Sequence, residues 1–80
     1  MERITLRRTL NIGDYETISF ETVGEHEDVN IARLIAARKF LELARLELIR
    51  IYNVKVSSNG SAWDRVNVEL NGIDAELNQL

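Results

Sequence analysis

The feature that most constrains this fold is the stretch of residues 29–52, which contains neither proline nor glycine. Strong helix formers dominate it, so we expect one long helix of about six turns. Apolar side chains recur every three or four residues and form a continuous stripe, at Leu34, Ala37, Leu41, Ala44, Leu48 and Ile51. A second apolar set widens this stripe, at Ile31, Ile35, Phe40, Leu43, Leu46 and Ile49. The helix is therefore apolar on more sides than one small sheet can cover.

An apolar surplus of this kind needs a second surface to cover it. The chain has 80 residues, and we expect residues 1–80 to form a single domain. The sequence predicts a homodimer in which the surplus meets the same surface of another copy. The expected dimer interface consists of Leu34, Ala37, Leu41, Ala44 and Leu48. The alternative is that the surplus packs on the C-terminal segment of the same chain.

The residues before the helix have the pattern of a β-hairpin. Residues 3–12 alternate apolar and polar side chains, although Arg8 interrupts the apolar face. The Gly-Asp dipeptide at residues 13–14 is a turn signal. A second strand is expected over about residues 15–23. Together these segments predict two antiparallel strands.

Residues 24–28 are expected to form the loop that leads into the helix. Asp28 or Asn30 is the expected N-cap, since either side chain can accept hydrogen bonds from the first helical turn. His26, the only histidine, lies among acidic residues in this loop. Adjacent residues in a loop point in different directions, and the chain has no cysteine. We therefore expect a solvated capping loop rather than a metal site.

The C-terminal part of the chain contains two further strand patterns. Residues 52–56 predict a third strand and residues 65–70 predict a fourth, with the hairpin signal Asn59-Gly60 between them. The last ten residues have the spacing of a short helix. The predicted fold is therefore α+β with the order ββαββ(α). It consists of an antiparallel sheet of about four strands with one long helix packed across one face.

Composition narrows the functional class. Hydrophobic residues make up 45% of the chain and charged residues 29%, which is typical of a folded globular protein. The chain has no cysteine, and no apolar run is long enough for a membrane span, so we expect a soluble cytoplasmic protein. It also contains no glycine-rich phosphate loop and no common catalytic motif. We therefore expect neither an enzyme nor a bound cofactor or metal ion.

The outer face of the expected sheet suggests a binding function. It would gather arginines, hydroxyl-bearing residues and aromatic rings, which single-stranded nucleic-acid binders use for phosphates and stacked bases. The expected nucleic-acid-binding residues are Arg3, Arg7, Tyr15, Lys55, Trp63 and Arg65. The simpler alternative is that this face is the ordinary solvated side of an antiparallel sheet, with Trp63 folded down onto a neighbouring element.

Residues 14–28 offer a different binding surface, because they contain six acidic residues and no lysine or arginine. Such a segment would attract a basic protein partner. The second functional hypothesis is therefore a protein-interaction or inhibitory module that uses this acidic hairpin and loop. The net charge of −3 on the whole chain also argues against a protein that coats nucleic acid without sequence specificity, because such proteins are usually strongly basic.

Residues 8–21 contain the pattern R-x-x-N-x-G-x-Y-E-x-x-x-x-E. This pattern resembles the opening hairpin of small proteins from phages and archaeal mobile elements. The resemblance covers about the first quarter of the chain, and it implies an accessory protein of a mobile element rather than a particular activity. Some of the gene neighbourhoods that it implies encode proteins that bind or anneal single strands, and others encode inhibitors of host defence.

Overall fold

A computed structural model of the protein describes residues 1–13, 16–52 and 60–79. Its elements, in chain order, are β1 (Glu2–Gly13), β2 (Glu16–His26), α1 (Val29–Tyr52) and α2 (Gly60–Asn78). The α+β class is confirmed. The expected sheet of about four strands with one long helix is wrong, because the described residues form a two-stranded sheet and two long helices.

The expected fourth strand, residues 65–70, lies inside α2. Its alternating apolar residues suit a strand, but Val66 and Leu70 also stand four residues apart, as on one face of a helix. Val66 and Leu70 are buried, whereas Val68 between them is 70% exposed. The expected short C-terminal helix is the second half of this same helix. The expected third strand starts at Tyr52, which is the last residue of α1, and its other residues lie outside those the structure describes.

β1 and β2 form the antiparallel hairpin that the sequence predicts. Leu10 lies opposite Ile18, and both pack in the core together with Leu6 and Phe20, which share their face of the hairpin. The register shifts by one residue between Asn11 and Gly13. A bulge of this kind increases the local twist of the two strands.

β2 extends to His26, so residues 24–26 belong to the strand and not to the expected loop. A Cβ atom on Gly24 would stand 1.9 Å from the carbonyl oxygen of Ala32 and 2.7 Å from the backbone nitrogen of Ala36. The backbones of β2 and α1 are therefore so close here that only glycine fits. Beside this contact, the buried Thr22 hydroxyl donates a hydrogen bond of 2.7 Å to the carbonyl oxygen of Ala36.

An aspartate caps the start of α1. Asp28 Oδ1 accepts hydrogen bonds from the backbone N–H groups of Asn30, at 2.8 Å, and Ile31, at 3.4 Å. These are two of the donors that a helix leaves unsatisfied in its first turn. The backbone N–H of Asp28 itself donates to Nδ1 of His26 at 3.0 Å. Of the two expected N-cap candidates, Asp28 is the one that acts.

The hydrophobic core lies between the inner face of the hairpin and both helices. Phe40 and Leu41 of α1 and Val66 of α2 are among its fully buried side chains. The rings of Phe20 and Phe40 meet edge to face, with centroids 6.2 Å apart. Because α2 contributes to this core, it covers part of the apolar surface of α1 within a single chain.

Arg8 is a charged residue on the inner face of the hairpin, next to the core. Its guanidinium donates two hydrogen bonds to the carboxylate of Glu69 on α2, at 2.8 and 3.0 Å. It also lies over the ring of Phe40, 5.2 Å from the ring centroid. These hydrogen bonds are the main reason that the pKa of Glu69 is lowered, while partial burial acts in the opposite direction. Arg8 thus ties β1 to α2 at the border of the core.

Candidate functional site

Arg3 and Arg7 lie on the outer face of the hairpin, where the sequence predicts them. β2 places an acidic residue directly opposite each one, with Glu25 facing Arg3 and Glu21 facing Arg7. All four side chains are exposed. The charges of these four residues balance pair by pair, which is unlike the excess of positive charge that nucleic-acid binders present.

The other expected nucleic-acid residues do not lie on this face. Trp63 and Arg65 belong to α2, where a separation of two residues points them to different sides of the helix. Trp63 is half-buried against the core, and the guanidinium of Arg45 lies 5.8 Å from its ring centroid. Arg65 donates a hydrogen bond of 2.9 Å to the carbonyl oxygen of Asn11. The remaining two expected residues, Tyr15 and Lys55, lie outside those that the structure describes.

Most of the expected dimer interface is occupied within the chain itself. Leu41, Ala44 and Leu48 have exposed fractions of 0%, 0% and 2%, because they belong to the chain's own core. Leu34 and Ala37 are half-buried. This stripe has little surface left for a second copy, so an interface between copies would need other residues.

The exposed apolar surface of α1 lies on a different side of the helix. Leu43, Leu46 and Ile49 have exposed fractions of 41%, 63% and 40%. They follow one another at intervals of three residues and form one ridge on the helix surface, which we call the α1 ridge. The sequence shows these residues only as part of the second apolar set. Which members stay exposed depends on where the hairpin and α2 pack.

A groove of about 260 Å³ runs beside the α1 ridge. It is lined by Glu42, Arg45, Leu46 and Ile49. Glu42 forms an ion pair with Arg38 at 2.5 Å, and Arg38 also bonds Asp74 of α2 at 2.6 Å. At the other end of the ridge, Glu47 pairs with Arg50, and this hydrogen bond holds the pKa of Glu47 below its ordinary value. The α1 ridge therefore has acidic and basic groups at both ends.

A second concavity, of about 270 Å³, lies along the edge of β2 that faces away from β1, where no other strand pairs among the described residues. It is lined by Thr17, Ile18, Ser19, Phe20 and Glu47. Farther along this edge, the ammonium of Lys39 donates a hydrogen bond of 2.7 Å to the carbonyl oxygen of Val23. One side of α1, from Lys39 to Glu47, therefore follows this edge. We call the backbone of residues 17–21 the β2 edge. Sequence reasoning missed it, because the edge depends on the path of α1 across the hairpin.

The acidic segment is divided between two places in the structure. Glu21 and Glu25 lie on the outer face of the hairpin, while Asp28 caps α1. Asp14 lies outside the described residues. Among the residues that the structure describes, no three histidine, aspartate or glutamate side chains come together as metal ligands would.

Neither helix, over its described residues, is both long enough and apolar enough to cross a membrane. No protein-family model matches the chain, and no curated protein or solved structure matches it significantly. The function is therefore inferred from the surfaces of the chain itself.

Proposed function

We propose that the protein is a non-enzymatic protein-interaction module that works as a homodimer joined through the α1 ridge. The observation that carries this proposal is that three large apolar side chains, Leu43, Leu46 and Ile49, remain exposed next to one another on one helix. Single exposed apolar residues are common on proteins, but contiguous ones mark surfaces that contact another molecule.

The α1 ridge is complementary to itself. When two α1 helices run antiparallel about a two-fold axis at Leu46, Ile49 lies at the level of Leu43 of the partner subunit. In the same arrangement, Arg50 lies at the level of Glu42 of the partner subunit, so opposite charges meet at both ends. A two-fold axis repeats each contact, and the assembly therefore closes as a dimer.

Sedimentation equilibrium over a concentration series tests this proposal. The expected mass is twice the chain mass of 9.2 kDa. Leu46→Asp should give a monomer, because two like charges would face each other on the axis. Val68→Asp is the matched control, since Val68 is an exposed apolar residue on α2 outside the α1 ridge, and it should leave the mass unchanged.

A charge exchange tests the geometry of the dimer. Glu42→Arg and Arg50→Glu should each weaken the dimer by about tenfold, because each places like charges at the same level. The double variant E42R/R50E restores opposite charges between subunits and should recover the dimer. Two results would contradict the proposal. One is a wild-type chain that is monomeric at its highest soluble concentration, and the other is a double variant that dimerises more weakly than both single variants.

A nucleic-acid partner has less support, because Trp63 is half-buried beside Arg45 and the outer-face arginines stand opposite acidic residues. Titration with single-stranded DNA at low salt should leave the fluorescence of Trp63 unchanged. The resemblance of residues 8–21 to mobile-element proteins is compatible with an accessory interaction module.

A further inference from the structure

We infer that the β2 edge binds an extended segment of a partner protein in which basic and apolar residues alternate. The segment would add to the sheet as a third strand, beside β2. The inference rests on the proposed interaction function, since it names the class of partner, but it does not need the dimer.

Part of the β2 backbone faces away from β1, on a side where no strand among the described residues pairs with it. In an antiparallel pair, every second residue of an edge strand turns its N–H and C=O away from its neighbour. Val23 is one of these residues, because its carbonyl oxygen accepts a hydrogen bond from Lys39 of α1. The same alternation assigns outward N–H and C=O groups to Thr17, Ser19 and Glu21. These three alternate residues along the edge are thus oriented to pair with a new strand.

The space beside these residues suits a strand. The concavity of about 270 Å³ lies directly along residues 17–20, and Glu47 of α1 forms its opposite wall. Neighbouring strands in a sheet lie about 4.8 Å apart, so an added strand would occupy this concavity. Ile18 and Phe20, which also line it, would contact the apolar side of that strand.

Charge selects a basic segment. β2 contains three glutamates and no lysine or arginine. β1 is an example of a strand that pairs with β2. Its basic residues lie opposite glutamates of β2, Arg7 opposite Glu21 and Arg3 opposite Glu25, and its apolar residues face α1. A strand beside residues 17–21 with the same alternation would meet Glu21 on the outer face and would end before Val23, whose carbonyl oxygen accepts from Lys39. Glu47 also lines the concavity, but its carboxylate already pairs with Arg50, so Glu21 is the acidic group that selects a basic residue there.

A second copy of this chain fits the β2 edge less well. Another β2 would bring only acidic charged side chains. A β1 from another copy would leave the β2 edge of that copy open, and such an assembly would grow without closing. Masses that keep rising with concentration in the wild type would reveal that assembly and overturn the inference.

A blocked synthetic peptide of alternating lysine and valine is a suitable probe. Binding to the full chain is measured by titration calorimetry, and its location by backbone amide hydrogen exchange. We expect slower exchange at Thr17, Ser19 and Glu21, with no change at Arg7 and Thr9 along the opposite edge of the sheet. A peptide of the same composition with its lysines and valines in two separate blocks should bind at least tenfold more weakly, and added salt should weaken the alternating peptide.

Two proline variants form a matched pair, because Ser19 and Thr9 lie opposite each other and turn their backbone groups to opposite edges. Ser19→Pro removes an outward N–H at the β2 edge and should lower peptide affinity at least tenfold. Thr9→Pro makes the same change at the edge of β1 and should leave the affinity unchanged. Circular dichroism checks that both variants fold. If Ser19→Pro does not fold, Glu21→Lys replaces it, and this variant should also lose affinity.

The outcomes separate this inference from the proposed dimer. Leu46→Asp, as a monomer, should still bind the alternating peptide. Equal binding of both peptides would indicate simple charge attraction, and exchange protection on β1 would indicate the wrong edge. Either result, or no binding at all, would overturn the inference while leaving the mass measurements of the dimer unaffected.

Discussion

The guanidinium of Arg8 on β1 and the carboxylate of Glu69 on α2 are joined by two hydrogen bonds across 61 residues of sequence. This contact links the first strand to the last helix. It also explains why a charged residue stands on the inner face of the hairpin, where the alternation of residues 3–12 calls for an apolar one. The paired geometry makes this link stronger than an ordinary surface ion pair.

A double-mutant cycle on Arg8→Met and Glu69→Gln should give a coupling free energy of about 0.5–1 kcal/mol. The value stays modest because both side chains are partly exposed, at 34% and 43%. Urea unfolding followed by far-UV circular dichroism measures it. The Glu47–Arg50 pair, which lies within one turn of α1 and whose Arg50 side chain is 72% exposed, serves as the comparison and should show a smaller coupling. Equal couplings would mean that Arg8 and Glu69 do not hold α2 on the hairpin.

Acidification should remove the contribution of the Arg8–Glu69 pair to the free energy of unfolding. The pKa of Glu69 is lower in the folded protein than in the unfolded chain, where the pKa of a glutamate is about 4.3. The stabilisation is therefore complete above that value and is lost as the pH falls through the folded-state pKa. Free energies of unfolding measured from neutral to acidic pH should converge for wild type and Glu69→Gln at the acid end. A constant difference between them would contradict this reading.

Two glycines should respond to alanine in opposite directions. Gly24→Ala should destabilise the protein by about 1–3 kcal/mol or prevent folding, because the added Cβ meets backbone atoms of Ala32 and Ala36 that cannot move aside easily. Gly72→Ala should stabilise it by about 0.5–1 kcal/mol, because Gly72 lies inside α2 with open space around it. Thermal unfolding of both variants decides this. If Gly24→Ala unfolds like wild type, β2 and α1 cannot be in backbone contact.

Removal of the helix cap should weaken the start of α1. Asp28→Ala should cost about 1 kcal/mol of unfolding free energy, since the N–H groups of Asn30 and Ile31 lose their acceptor. Asp28→Asn keeps an acceptor oxygen and should cost much less. Hydrogen exchange at these two amides gives a local measurement. Equal stability of the alanine and asparagine variants would show that the cap contributes little.

The hairpin, the long helix and the cap follow from local patterns, which is why the sequence predicts them. α2 does not, because Val66, Val68 and Leu70 fit a strand by alternation while Val66 and Leu70 also fit a helix by their spacing. β-Branched residues favour the strand reading, and the packing of Val66 against α1 favours the helix. Tertiary contacts of this kind override local preference.

The candidate surfaces were harder to predict than the fold. The sequence identifies the apolar surplus of α1, but Leu41 and Leu48 are covered within the chain, while Leu46 is not. That division depends on the position of α2. Arg8 was recognisable in the sequence, because it interrupts the apolar face of its strand, and it marks a contact between β1 and α2. Gly24 was expected in the loop, and its close contact with α1 was not predicted.

Lys39 at Val23 and Arg65 at Asn11 each place a positive charge on an outward backbone carbonyl, one at either side of the two-stranded sheet. Amyloid fibrils need an unbroken row of backbone donors and acceptors from one strand to the next. A bulky cation in that row stops long strands from stacking. The same side chains that limit how much of a partner can pair with this sheet therefore oppose its conversion into fibrils.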